Sequence, residues 1–280
     1  MSKYKIAIMD TGVNTGNEYL QNKSIQGMGL SLVNDNVVSG EDFSDHIGHG
    51  TAIFDIISKN CAECDIFNFK VYDTRITIGE LARYLEFIYL NYRFDFINIS
   101  MGICNGNGIS ELGAICHKLF ERGTIIVSAF DNNGYISFPA AFPYVLGVAG
   151  VLPSFARFES KCVEGIVNIQ MANRYMAVAW TEPKRNVVSG ASFLCPLVIS
   201  SIVNGKISKA SVIEILSNSC TYKAIRDYSQ NWGKVAVFPT NKEIMTLARF
   251  ESLIQADCID YYSYKYSGNI GKKMCDVDVS

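Results

Sequence analysis

A chain of 280 residues that is 49% hydrophobic and 19% charged has enough apolar sequence for a substantial core and is too apolar to stay disordered. Its formal net charge is −2 and its lysines and arginines form no basic stripe, so nucleic acid is not an expected partner. The opening "MSKYKIAIMD" lacks the apolar run and small-residue cleavage site of a signal peptide, and the longest apolar stretch, Tyr144–Leu152, falls short of the about 20 residues that cross a bilayer, so no membrane is expected either.

Along the chain, short runs rich in β-branched and aromatic residues predict strands at Lys5–Met9, Asp65–Val71, Phe94–Ile99, Thr124–Ala129 and Tyr144–Val151. Between them, "TAIFDIISK", "IGELARYLEFIYLNY" and "ISELGAICHKLFERG" repeat apolar residues at three and four positions and predict helices. In the second of these, Leu81, Leu85, Ile88 and Leu90 are expected to line one face. Two more helices are expected at Phe193–Val203 and Ser208–Ser217. Alternating β and α units of this length predict an α/β fold with a mostly parallel central sheet flanked by helices. Such sheets place their chemistry beyond the carboxyl ends of the strands, and Asp10 stands at one such end. No repeat or linker divides the chain, so residues 1–240 are read as one domain. From about Asn241 the sequence is dense in tyrosine without a clear period, and residues 241–280 are expected to form a docked extension or a partner-binding segment.

Nine cysteines, an odd number spread through apparent core segments, fit a reducing compartment and a cytoplasmic protein better than a disulfide framework. Cys61 and Cys64 form the single CxxC pair. A zinc ribbon needs a second pair and a redox motif usually opens a helix, whereas this pair leads into a strand-like run; both are read as structural thiols.

The first strand delivers Asp10 into Thr11-Gly12, and Asp-Thr-Gly serves either as one of two paired acids or as the acid that orients a histidine. Paired-acid chemistry needs a second Asp-Thr-Gly or Asp-Ser-Gly to share the proton, and none occurs. The orienting role needs a histidine and a serine. Of three histidines, His49 lies between Gly48 and Gly50 at the mouth of an apolar helix, with room for a neighbour at each ring nitrogen. His117 falls in an amphipathic helix, as a surface or boundary residue. His46 and His49 lack the glutamate and third ligand of a zinc-protease helix. Ser192 follows Gly190, where the backbone can turn sharply, and precedes an apolar helix whose Pro196 requires a start only a few residues earlier; Ser192 then sits at the positive end of the helix dipole, as a nucleophile or simply as a cap.

The blocks "IAIMDTGVN", "GHGTA", "DFINISMG", "FPAAFPYVLGVAGV" and "SGASFLCP" stand in the order and rough spacing of the subtilisin-like serine proteases, and "NWGKVAVFP" matches more loosely. The resemblance runs from Ile6 to about Val203 and implies their three-layer fold. It implies Asp10 as the acid fixing the tautomer of the base, His49 as general base and then acid, and Ser192 as nucleophile. It implies Asn132 as the oxyanion amide, with Asn133 one register away. A peptide or protein substrate would add a strand beside Ser100, Met101 and Gly102, and Ala129, Phe130 and Asp131 would form the other wall of the first pocket.

The chain departs from that family at several points. Ala191 replaces the usual threonine and removes a hydroxyl near the oxyanion, Phe193 replaces methionine, and Cys195 replaces a small residue. Phe130 and Asp131 replace the small pair of the pocket wall. Asp131 either favours a basic P1 residue or caps its own turn, and the turn reading is preferred. With nine residues ahead of Asp10, no folding prodomain is expected there, and Tyr261–Tyr266 is a candidate cover for the site. No cofactor is expected. The acidic stretch Asp35–Asp45 shows no dedicated calcium loop, although the family often binds Ca²⁺, and is read as a solvated loop. The implied activity is that of a serine endopeptidase working through an acyl-enzyme, possible in a restricted, peptide-maturing form; a transpeptidase or macrocyclase on the same scaffold and a catalytically silent peptide-binding module are the alternatives.

Overall fold

The computed structural model of the chain describes residues 3–61, 64–104, 106–132, 137–151, 159–163, 166–181, 185–218, 234–237 and 258–261. They belong to two units, one of residues 1–132 and 136–219, the other of residues 133–135 and 220–280.

The elements of the first unit are, in chain order, β1 (Tyr4–Asp10), β2 (Gln26–Val33), β3 (Asn36–Gly40), α1 (His49–Asn60), β4 (Cys64–Lys70), α2 (Ile78–Asn91), β5 (Phe96–Ile99), α3 (Ile109–Glu121), β6 (Ile125–Ala129), β7 (Val145–Val151), β8 (Glu159–Val163), β9 (Ile166–Ala172), β10 (Met176–Ala179), β11 (Arg185–Val188), α4 (Ala191–Val203) and α5 (Lys209–Asn218). A nine-stranded sheet runs β3-β2-β4-β1-β5-β6-β7-β9-β8. Its interior pairs are parallel, and the outermost pairs at each end, β2 with β3 and β8 with β9, are antiparallel. In the second unit, β12 (Lys234–Val237) and β13 (Cys258–Tyr261) pair in parallel.

β1 lies mid-sheet with helices over both its faces, which is why it reads as a continuous apolar run rather than an alternating one. Successive side chains point to opposite faces. Ile6 and Ile8 join α1, α4 and α5 in one core, and Ala7 and Met9 join α2 and α3 in the other. The layers are therefore helix, sheet, helix. Thr77 and Glu80 start α2 with a reciprocal pair: Thr77 Oγ1 accepts from the Glu80 N–H at 3.2 Å, and the Glu80 carboxylate accepts from the Thr77 N–H at 2.7 Å.

All five expected strands and all five expected helices form, with ends shifted by up to about two residues. One packing expectation fails. Leu81, Leu85 and Ile88 are buried, but Leu90 is 70% exposed. It lies nine residues beyond Leu81, about two and a half turns at 3.6 residues per turn, and so faces away from the sheet. Cys61 and Cys64 are free thiols, and Cys61 Sγ donates to Ser200 Oγ at 3.3 Å where α1 packs on α4. The expected extension from residue 241, including the candidate cover at Tyr261–Tyr266, lies outside the described residues apart from Cys258–Tyr261.

Candidate active site

β1, β5 and β6 run parallel, so their carboxyl ends open on the same edge of the sheet. Asp10 ends β1, Ser100 follows β5, and Ala129 ends β6. α1 and α4 pack together on one face of the sheet, which carries His49 and Ser192, each in the first turn of its helix, to that same edge.

Asp10 is fully buried. Its Oδ1 stands 2.7 Å from His49 Nδ1 and also accepts from the Thr11 N–H at 2.8 Å. Thr11 Oγ1 in turn accepts from the Gly50 N–H at 2.9 Å, so the turn after β1 holds the start of α1. Burial pushes the His49 pKa down. The Asp10 charge, the hydrogen bond to Asp10 and then the Asp45 charge outweigh it, leaving the pKa raised. The carboxylate thus favours the imidazolium and, when the ring is neutral, holds the proton on Nδ1 and leaves Nε2 as the basic nitrogen.

Gly48 precedes α1 with φ +101°, and a Cβ there would stand 2.4 Å from the Trp180 ring. Only glycine meets both conditions, and this lets Trp180 close over the helix start. Gly190 plays the corresponding part before α4, with φ +135°. The His49 ring rests 5.1 Å from that of Phe193, the residue after Ser192. Among the described residues the Ser192 hydroxyl makes no hydrogen bond; in sites without substrate, a serine–histidine contact is often long and tightens when the substrate is bound.

Asn132 faces the same turn. Its Oδ1 accepts from the Ala191 N–H at 3.0 Å, which settles the orientation of the amide and leaves Nδ2 with no hydrogen bond among the described residues. Asn133 lies outside the described residues. Ser100 turns its side chain inward, 3% exposed, while Met101 and Gly102 are partly exposed, with Met101 O accepting from Ser128 Oγ at 3.1 Å. Phe130 extends the β6–β7 pairing through its N–H to Val148 O at 2.9 Å, and its ring lies on Gly147, where a Cβ would come within 2.2 Å. The adjacent Asp131 is partly buried, and its N–H donates to Ser137 Oγ at 2.9 Å.

Two residues at this site have no catalytic or binding role in the sequence reading, and for one of them that reading is corrected: the stretch Asp35–Asp45, expected to be a solvated loop, forms β3 over Asn36–Gly40 and ends on a buried Asp45. Asp45, 5% exposed, accepts from Ile47 N–H and Gly48 N–H at 2.9 and 2.8 Å through Oδ1, and from Thr51 N–H and Oγ1 at 2.9 and 2.6 Å through Oδ2. It satisfies the otherwise orphaned donors at the start of α1 and places negative charge at the positive helix end. The clue in sequence is an acid just ahead of an apolar helix. Asn98, fully buried on β5, donates through Nδ2 to Ser100 Oγ at 2.8 Å, and Ser100 Oγ donates to Ser192 O at 2.7 Å. Pro196 explains the need. Four residues after Ser192 in α4, it has no N–H to give the Ser192 carbonyl, and the Ser100 hydroxyl supplies the missing donor.

The other two histidines stand apart. His46 is exposed, and His117 stacks on Tyr144 with ring centroids 4.1 Å apart, its Nε2 3.5 Å from Glu121. Among the described residues no three His, Cys, Asp or Glu side chains are grouped to hold a metal, and no helix is long and apolar enough to cross a membrane.

The profile of the subtilase family matches residues 1–231. The "major intracellular serine protease" of Bacillus subtilis (strain 168) is 26% identical over 167 residues, which are 52% of this chain and 50% of that protein. The chain thus spans about half the length of that curated relative. Among solved structures, a psychrophilic protease aligns with TM-score 0.60 and 20% identity over 75% of this chain and 80% of its own, and the prenylagaramide maturation protease PagA with TM-score 0.58 and 18% identity over 72% and 75%. These two likenesses are of fold. With the family profile spanning most of its length, the chain belongs to the subtilase family of serine proteases.

Proposed function

We propose that the protein is a cytoplasmic serine endopeptidase that cleaves peptide or protein substrates through an acyl-enzyme. His49 Nε2 takes the Ser192 proton as Oγ attacks the scissile carbonyl, and the imidazolium then gives that proton to the leaving amine. Asp10 holds the tautomer and stabilises the imidazolium. Asn132 Nδ2 and the Ser192 N–H, at the positive end of α4, meet the developing oxyanion. Water then attacks the acyl-enzyme, His49 acting again as base, and Ser192 is freed. The substrate pairs as a strand with Ser100–Gly102, and Ala129–Asp131 form the opposite wall.

The observation that carries this reading is the 2.7 Å contact between buried Asp10 and His49 Nδ1, with the ring of Phe193, the residue after Ser192, 5.1 Å from that of His49. A cytoplasmic setting is supported by the free thiols of Cys61, Cys64, Cys104, Cys116 and Cys195. A dedicated, peptide-maturing role is the narrower form of the proposal, motivated by the bulky pair Phe130–Asp131 in the pocket wall.

Labelling with a fluorophosphonate probe tests the chemistry: wild type is expected to label at Ser192, Ser192→Ala is not, and His49→Ala is expected to label far more slowly. Failure of the wild type to label would reject the catalytic role. Mass spectrometry of the products then separates hydrolysis, which adds one water per cleavage, from transfer of the acyl group to a peptide amine, which adds none.

A further inference from the structure

Beside Gly102 lies a cleft of about 680 Å³, lined by Arg75, Ile76 and Thr77 ahead of α2 and by Gly102, Ile103 and Asn107 after β5. Among the described residues, Arg75 is the one charged residue in its wall. Among the described residues, Arg75 makes no ion pair or hydrogen bond, and its side chain is exposed. The neighbouring carboxylates are engaged elsewhere. Asp73 Oδ1 pairs with Lys70 Nζ at 2.8 Å, and the Glu80 carboxylate accepts from the Thr77 N–H and hydroxyl at 2.7 and 2.8 Å.

Gly102 joins this cleft to the site described above. A Cβ there would stand 2.9 Å from Ala129 O and 2.6 Å from Ser137 Oγ, so Gly102 borders the first-pocket wall as well as the cleft. Its own N–H and C=O make no hydrogen bond among the described residues. A partly exposed backbone pair without partners is what an incoming strand takes up, and alternate side chains of that strand then enter the pockets along the edge.

We infer that the cleft is a subsite for an acidic side chain of the substrate, on the acyl side of the scissile bond, with Arg75 as the residue that reads it. This rests on the proposed protease reading, which supplies the strand and its direction. The planar guanidinium offers two parallel N–H donors to a carboxylate, and with no internal acid to displace, the pairing releases only water. Thr77 and Asn107 add neutral polar groups at the wall, and Ile76 and Ile103 cover the methylenes of a glutamate.

The test uses fluorogenic peptides carrying Glu, Gln or Lys in turn at each of the four residues on the acyl side, with enzyme concentration set by fluorophosphonate titration. At one of these positions the wild type is expected to prefer Glu over Gln by about tenfold in kcat/KM, the scale of one charge-assisted contact. Arg75→Gln is expected to bring that ratio to about one, and Arg75→Glu to reverse it in favour of Lys. The preference is also expected to shrink in high salt, since Arg75 is exposed. A Glu-to-Gln ratio that is the same in wild type and Arg75→Gln would overturn the subsite while leaving the protease reading intact. If the wild type neither cleaves nor labels, the protease reading fails on its own. Fluorescence anisotropy of the Glu and Gln peptides on the wild type and Arg75→Glu then decides the subsite: tighter Glu binding lost in the variant supports it, and equal binding in both overturns it.

Discussion

Replacing Ser100 by alanine removes a hydroxyl that both accepts from Asn98 Nδ2 at 2.8 Å and donates to Ser192 O at 2.7 Å. Asn98 is fully buried and Ser100 is 3% exposed, so no solvent replaces either partner. A buried polar group left unpaired costs about 1–3 kcal/mol, and with one donor and one acceptor orphaned together the expected loss of stability is about 2–4 kcal/mol. Urea unfolding followed by circular dichroism reads it. On the proposed reading, kcat also falls with KM little changed, because the carbonyl belongs to the nucleophile's own residue. Pro196 provides the decisive control. Pro196→Ala restores an N–H to the position that normally serves the Ser192 carbonyl, so Ser100→Ala is expected to cost about 1 kcal/mol less in that background than in the wild type. Equal costs in the two backgrounds, or a loss below about 0.5 kcal/mol in the wild type, would refute the claim that Ser100 stands in for the donor that proline lacks.

Other substitutions probe the charges around His49 and the oxyanion. Activity is expected to rise with pH through a His49 pKa above the ordinary histidine value, because the base works only when neutral. The same raised pKa means that the stability drawn from the Asp10–His49 pair is present below the unfolded-state pKa and lost as pH climbs through the folded one. Asp10→Asn removes the charge that opposes burial, so the acid limb of the kcat/KM profile should move to lower pH while the plateau drops by roughly four orders of magnitude; an unmoved limb would contradict the assignment. Asn132→Ala is expected to lower kcat by roughly two to three orders of magnitude with KM nearly constant, and a loss under about tenfold would remove Asn132 from the oxyanion site. Asp45→Ala strips the acceptors of three backbone N–H groups at the head of α1 and should destabilise by about 2–4 kcal/mol in thermal or urea unfolding, with the His49 limb again moving to lower pH.

Much of this architecture was legible before any coordinates. The apolar runs that became β1, β4, β5, β6 and β7 stand out because strands covered on both faces carry no polar alternation, and α1, α2 and α3 stand out by their three-and-four spacing. The β2–β3 hairpin was missed although its signal is present: Asn34 and Asp35, with φ +49° and +62°, are the residues that tolerate a tight two-residue turn between strands. Strands β8 to β11 carried no comparably clear run. Leu90 was misplaced because a drift of half a turn over nine residues is invisible when apolar residues are simply counted.

Sequence by itself carried the candidate chemistry. An acid at a strand end, a histidine between glycines and a serine ahead of an apolar helix are local patterns, each dictated by the few residues around it, and their order along the chain carries the family resemblance. Only the tertiary structure decided what supports them. That Asp45 serves four donors at the start of α1, that Phe130 lies on Gly147, and that Asn98 and Ser100 supply the donor missing from Pro196 all depend on side chains far apart in the chain, whose meeting is fixed by packing across the sheet and not by any periodicity.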